Sequence, residues 1–250
     1  MRETLSKIRH GIRGVARRFG FEVVRFNNQE TLDSHLKTLL DKLRINCVLD
    51  VGGHFGEYAS VLREVGYRGH IISFEPNPES FAKLSRRMAG DPLWRGHQLA
   101  LGDREGELEM KLLGVSWCDS FLPLNEYGQE RLQDAAVVQR IEKVQVRRLE
   151  TELDRLVAHV PQPRIFLKLD TQGYDMRVIQ GAGAALARII ALQSEVVVKP
   201  IYQGMMTYRD SLAKLEELGF ELTGLFPVTR DGTDQLRVVE MDAVMCRFSA

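Results

Sequence analysis

From about residue 30 onward the apolar positions alternate between two periods, and that alternation predicts the fold class. Leu32, Leu36, Leu39, Leu40 and Leu43 share one face of a helix over Thr31 to Leu43. Cys47 to Val51 is a short apolar strand running into a glycine-rich turn, and Phe55 to Val65 reads as a helix stopped near Gly66. His70 to Glu75 is a second strand, closed by Pro76, Asn77 and Pro78. A helix over Pro78 to Met88 and a third strand over Trp94 to Leu101 follow. Leu149 to Val157 is a helix, Arg164 to Asp170 a buried strand, Tyr174 to Ala187 a helix, and Ile189 to Val198 another buried strand. Asp210 to Leu218 is the last helix, and two strand-like runs, Phe220 to Pro227 and Val238 to Phe248, flank the turn Asp231-Gly232. This order predicts a doubly wound α/β domain, a parallel sheet with helices on both faces.

Residues 104–148 break the rhythm. Gly106 to Leu113 and Val144 to Arg148 alternate like exposed strands around a poorly patterned stretch. The segment reads as an insertion on the substrate side, where specificity would be set. The chain then divides into a basic helical segment, 1–28, and a single domain, 29–250. Within the first 25 residues, Arg2, Lys7, Arg9, Arg13, Arg17, Arg18 and Arg25 face only Glu3 and Glu22, with Leu5, Ile8, Ile12 and Val15 at helical spacing. Such a helix could make peripheral contact with a membrane; packing on the domain or on a partner subunit is the simpler expectation.

Composition narrows the partners. Thirty-four basic residues balance thirty-four acidic ones, so no global field draws the chain to nucleic acid. No apolar run approaches the ~18 residues of a membrane-spanning helix, and no secretory signal is evident. Cys47, Cys118 and Cys246 are odd in number and widely spaced, which fits a reducing cytoplasm and gives no metal-binding pair.

The sharpest local signal is Asp50-Val51-Gly52-Gly53-His54-Phe55-Gly56 between a strand and a helix. Glycines let the backbone turn tightly beside a ligand, and the helix start offers unpaired N–H groups. Glu75 ends the second strand about 20 residues later, where an acid accepts both ribose hydroxyls. The pair points to a cofactor containing adenosine. Asp50 would balance the ammonium of S-adenosylmethionine but would repel a pyrophosphate. That favours a methyltransferase over a nicotinamide-dependent oxidoreductase; a degenerate fold acting as a binding subunit is the other alternative.

Beyond these motifs the chain resembles the FkbM family of methyltransferases. The resemblance runs through Asp50 to Gly56, Phe74-Glu75-Pro76-Asn77-Pro78, Ala100-Leu101-Gly102-Asp103 and Asp119-Ser120-Phe121-Leu122. It continues with Leu167-Lys168-Leu169-Asp170-Thr171-Gln172-Gly173-Tyr174-Asp175, Val178 to Ala182, Glu195 and Tyr202. It implies a class I, Rossmann-like sheet of seven strands, mostly parallel with an antiparallel C-terminal strand. It also implies methyl transfer from S-adenosylmethionine to a hydroxyl on a sugar, polyketide or similar metabolite. His54 and Asp175 depart from the family's usual Asn and Glu.

An unactivated alcohol needs a base as the new bond forms. Asp170, at the end of its strand, is the first choice. Lys168 projects to the same face and could either act with Asp170 or form an internal ion pair. Glu195 interrupts an apolar run and so needs a partner or a role. With Asp170 it could chelate Mg2+, but two carboxylates without a third ligand do not define a metal site. His54 is an alternative base. Asp103 could accept from adenine. Asp119 and Ser120 could line the acceptor pocket, Trp117 reads as core or wall rather than as a stacking platform, and Tyr202 and Tyr208 could close over substrate. A base-amine methylation motif is missing, so the acceptor expected is a small-molecule or glycan hydroxyl rather than nucleic acid.

Overall fold

The computed structural model describes residues 31–232 and 236–248; the basic helix expected over 1–28 lies outside them. The chain begins with α1 (Leu32–Lys42), β1 (Cys47–Val51), α2 (Glu57–Glu64), β2 (His70–Phe74), α3 (Pro78–Met88) and β3 (Trp94–His97). Then come β4 (Ala100–Leu101), β5 (Gly106–Leu112), α4 (Glu126–Leu132), β6 (Arg140–Arg147) and α5 (Leu149–Val157). The chain continues with β7 (Ile165–Leu169), α6 (Asp175–Ala182), β8 (Ile189–Val197), α7 (Tyr208–Glu217), β9 (Glu221–Arg230) and β10 (Val238–Cys246). Among the described residues the main sheet has seven strands in the order β3-β2-β1-β7-β8-β10-β9. β1 pairs in parallel with β2 and β7, and β2 with β3 and β7 with β8 likewise, whereas β10 runs antiparallel to both β8 and β9. This is the α/β class expected from the sequence.

Strand alternation sends side chains to two cores. Cys47, Leu49 and Val51 of β1, with Ile165, Leu167 and Leu169 of β7, meet Leu149, Leu153 and Leu156 of α5 and Val178 and Ile179 of α6. Val48 and Phe166 face the opposite way, against Leu36, Leu39 and Leu40 of α1, Leu62 of α2 and Leu84 of α3. Helix starts follow their capping residues. The Thr31 hydroxyl accepts from Ser34 N–H, and the Asn77 side chain accepts from Glu79 and Ser80 N–H just before Pro78.

Three expectations need correction. The strand expected over Trp94 to Leu101 is two pieces, because Leu99 N–H turns back onto His97 carbonyl at 3.0 Å and passes the chain to another sheet. That sheet, β4-β6-β5, is built on Met110, Leu112 and Val144. Its strand β6 begins at Arg140, four residues before the alternation becomes visible, with Ile141 left exposed. The helix expected over Tyr174 to Ala187 is α-helical only to Ala182: the backbone kinks at Gly183, Ala184 N–H donates to Glu150 at 2.9 Å, and Gly183–Arg188 continues as a 3-10 helix.

Gly181 in α6 packs directly on the loop after β4, where a Cβ would stand 1.7 Å from the Gly102 carbonyl oxygen. On helix propensity alone Gly181→Ala would stabilise by about 1 kcal/mol. The clash reverses the sign, and urea denaturation is expected to report a loss of about 1–3 kcal/mol.

Candidate active site

Strand order reverses between β1 and β7, and a cavity of about 530 Å³ opens at their carboxyl ends. Open α/β sheets take their ligands at such switch points. One wall is the loop after β1. Gly52 has φ +79°, and a Cβ there would sit 1.8 Å from the Asp170 carbonyl oxygen, so only glycine lets the two strand ends approach. Gly53 and His54 continue the wall, while Gly56 faces the Trp94 ring at the start of α2, outside the cavity lining.

Glu75 lies buried at the end of β2 and lines the cavity. His54 N–H donates to its Oε2 and Asn77 N–H to its Oε1, each at 2.8 Å, which leaves each oxygen a free lone pair. Burial pushes this carboxyl up to about 8, against the downward pull of the two N–H donors. The His54 ring spans to Ser116 Oγ, 2.9 Å from Nε2, and lies 3.5 Å from Glu57. Burial lowers its pKa, leaving the imidazole neutral at physiological pH.

A polar row crosses the sheet beneath this loop. Ser73, Asp50, Lys168 and Gln193 are lateral neighbours on β2, β1, β7 and β8. Trp94 Nε1 donates to Ser73 Oγ at 2.9 Å, and Ser73 Oγ donates to Asp50 Oδ2 at 2.8 Å. The Lys168 ammonium stands 3.4 Å from both Asp50 Oδ1 and Asp170 Oδ2 and donates to the Gly52 carbonyl at 2.9 Å. Burial alone would lower its pKa; Asp170 and Asp50 outweigh that and hold it above the ordinary lysine value. Tyr58 OH closes the row by donating to Gln193 Oε1 at 2.9 Å.

One step nearer the cavity the row becomes acidic. Asp170, Glu195, Glu240 and Asp242 all line the space, and Asp242 lies directly across from Glu195 in the β8–β10 register. Burial, then repulsion from Asp170 and Glu240, raises the Glu195 carboxyl well above its ordinary value; Gln172 Nε2 reaches it at 3.3 Å. Burial also lifts Asp242, to about 6. Among the described residues no set of three or more His, Cys, Asp or Glu is arranged to hold a metal ion, and no helix is long and apolar enough to cross a membrane.

The remaining expected residues divide. Asp119 and Ser120 line the cavity and also tie the second sheet down. Asp119 accepts from Leu113 N–H and Asn77 Nδ2, each at 2.8 Å, and Ser120 Oγ donates to the Gln172 carbonyl at 2.8 Å. Three readings are corrected. Asp50 is fully buried against Lys168 and is not a cavity wall. Asp103 is held by Arg177 at 2.9 Å, Arg104 and Tyr174 OH, outside the cavity lining. Tyr202 is buried, its OH donating to the Cys118 carbonyl at 2.8 Å, and it stands outside this cavity's lining. Trp117, expected as core or wall, is wall, at 59% exposure. Gln193, Glu240, Asp242 and Tyr58 escaped the sequence reading, and Gln172 entered it only as part of the motif from Leu167 to Asp175. Glu240 and Asp242 had a weak signal in their i, i+2 spacing on a final strand, but their facing Glu195 depends on the antiparallel pairing.

Removing Lys168 would leave the Asp50 charge buried without its counterion. Lys168→Met is expected to cost about 3–5 kcal/mol in denaturant titration. Pairing it with Asp50→Asn should recover much of that loss, a coupling that a double-mutant cycle reads directly.

Compared with known proteins, residues 50–222 match the model of the methyltransferase FkbM domain. No curated protein sequence matches the chain. Among solved structures, an rRNA methylase from Streptococcus thermophilus shares 11% identity over 88% of this chain and 98% of its own, with a TM-score of 0.46. A precorrin-6y C5,15-methyltransferase from Geobacter metallireducens shares 12% over 88% and 92%, with a TM-score of 0.45. Aeropyrum pernix fibrillarin with natively bound S-adenosyl-L-methionine shares 11% over 80% and 66%, with a TM-score of 0.44. The fold stands on the strand order itself and the family on the sequence match. The chain belongs to the FkbM methyltransferase family, whose methyl-donating cofactor is S-adenosylmethionine.

Proposed function

We propose that this methyltransferase acts on a hydroxyl oxygen of a small metabolite, a sugar, polyketide or similar molecule, within the 29–250 domain. The observation that carries the reading is Asp170, a carboxylate 41% exposed at the end of β7 and held by a buried lysine. An alcohol gives up its proton only as the new bond forms, so a base within hydrogen-bond reach of the acceptor is required.

Bound S-adenosylmethionine supplies a methyl carbon activated by its sulfonium. The residues present fit that cofactor: Glu75 offers two carboxylate oxygens to the ribose hydroxyls, and Ala100, Leu101, Phe121 and Tyr174 offer an apolar slot to the adenine. Asp170 takes the acceptor proton, and Lys168 fixes its orientation while Gly52 fixes Lys168. Glu195, its carboxyl raised by burial and by its acidic neighbours, borders the acceptor beside Asp170. Asp119 and Ser120 border the acceptor from the second sheet. The acid-lined wall also weighs against nucleic acid, whose phosphates it would repel. Family membership leaves the nicotinamide reading without support, and measurable turnover would dismiss the binding-subunit reading.

The test is S-adenosylhomocysteine release with a panel of hydroxylated metabolites. Turnover is expected with a hydroxyl acceptor, and Asp170→Asn should lower kcat by about 10²–10⁴ while S-adenosylhomocysteine affinity is retained. Full activity in that variant, or methylation at nitrogen, would overturn the reading.

A pH dependence follows from Glu75. The ionised form accepts from ribose, and in the folded ligand-free protein the carboxyl titrates at about 8. The binding-competent fraction therefore grows as pH rises, so calorimetric affinity for S-adenosylhomocysteine should strengthen from pH 6 upward, by close to tenfold per unit well below the pKa. It should level off above the pKa, and Glu75→Gln should flatten the profile.

A further inference from the structure

The turn over Ser116–Cys118 is pinned on both sides yet directs its largest side chain outward. His54 Nε2 meets Ser116 Oγ at 2.9 Å, the Cys118 carbonyl accepts from Tyr202 OH at 2.8 Å, and Asp119, the next residue, accepts from Leu113 N–H and Asn77. Between these anchors Trp117 is 59% exposed at the edge of the cavity. An indole in water forgoes the burial that usually decides where tryptophan goes. A preorganised aromatic face beside a cavity is what recognition surfaces use, because little ordering cost remains when the ligand arrives.

The rest of the lining specifies the occupant. Asp170, Glu195, Glu240 and Asp242 make a wall rich in acceptor oxygens. Arg131 also lines the cavity, and its Nη1 is buried without a hydrogen-bond partner. A flat aromatic acceptor would use the indole but leave most of those oxygens without donors, which is costly once water is excluded. A flexible polyol would supply donors but gain nothing from a rigid planar face. A sugar ring has both an apolar C–H face and an edge of hydroxyl donors.

We propose that Trp117 is the stacking platform for the acceptor and that the acceptor is a glycosyl ring, its hydroxyls donating to the acidic wall and one of its oxygens accepting from Arg131. This rests on the O-methyltransferase reading and narrows it from hydroxylated metabolites to glycosyl compounds. Trp117 is thus a specificity-determining residue, and the methyl transfer itself still depends on Asp170.

The chain has two tryptophans, and Trp94 is only 6% exposed, so a neutral quencher such as acrylamide reports on Trp117. The full chain, saturated with S-adenosylhomocysteine, is titrated with methyl glucoside, methyl mannoside and methyl rhamnoside, and with phenol and hexanol for comparison. At least one glycoside is expected to protect the fluorescence and shift it to the blue. With a glycoside that turns over, Trp117→Ala should raise KM about tenfold or more with kcat little changed, and Trp117→Phe should retain part of the affinity. Protection by S-adenosylhomocysteine alone would place the indole on the cofactor and overturn the proposal. So would protection by phenol or hexanol but by no glycoside, or an unchanged KM in Trp117→Ala. Calorimetry separates the two failures. Absent S-adenosylhomocysteine binding defeats the methyltransferase reading and this inference with it. Intact binding with turnover only on non-glycosyl alcohols defeats this inference alone.

Discussion

The Lys168 ammonium, taken out of water between the carboxylates of Asp50 and Asp170, is the interaction on which the rest of the site depends. Burying such a cation costs several kcal/mol unless charge and hydrogen bonds replace its hydration. Its surroundings are therefore obligatory. Asp50 must lie at the same level of β1, which the parallel register provides, and Ser73 must satisfy the other Asp50 oxygen. The Gly52 carbonyl must turn inward to accept from the ammonium, which fixes the start of the cofactor loop. One buried charge thus joins the glycine loop that walls the cavity to the carboxylate proposed to deprotonate the acceptor.

Much of this fold was legible because local chemistry and long-range packing agree. β1 begins and ends where its apolar run does, α3 starts at the Asn77-Pro78 cap, and α5 follows its apolar spacing from Leu149 to Val157. Legibility failed where the deciding contact was distant in sequence. Nothing in Trp94 to Leu101 announces that the last two residues join β6, some 45 positions on. Glu150, which receives the backbone where α6 ends, lies on another helix. The site shows the same division. Residue types at Glu75, Asp170 and Glu195 were informative, but whether Asp50 faces cofactor or lysine depends on a partner strand formed more than 100 residues later. For Trp117 the choice between core and wall turned on a related cause, since amino-acid type argues for burial and only the pinned turn explains its exposure.

Charge illustrates the gap between composition and field. The chain is neutral overall, which discourages any reading based on a global attraction. Folding nevertheless gathers Asp170, Glu195, Glu240 and Asp242 from three strands at one end of the sheet, while the nearby Lys168 is already committed to Asp50 and Asp170. Burial first, and repulsion among these carboxyls second, raises Glu195 and Asp242. Perturbed carboxyls of this kind concentrate at functional sites, and hydroxyls are donors that can meet such oxygens without adding charge.

The second sheet fits this logic as part of the site rather than as an appendage. His54 of the first loop binds Ser116, Asn77 behind Glu75 binds Asp119, and Ser120 binds the carbonyl of Gln172 beyond Asp170. Each of these bonds crosses from the Rossmann-like sheet to the segment that carries Trp117. The separation between Glu75, proposed to meet the ribose, and the acidic wall proposed to meet the acceptor is consequently set by the fold itself. In-line displacement demands that restraint, because the reacting atoms must meet at about 3 Å and in line. A loosely tethered specificity segment would have to recover such alignment from binding energy at every turnover; a clamped one holds it from the folded state onward.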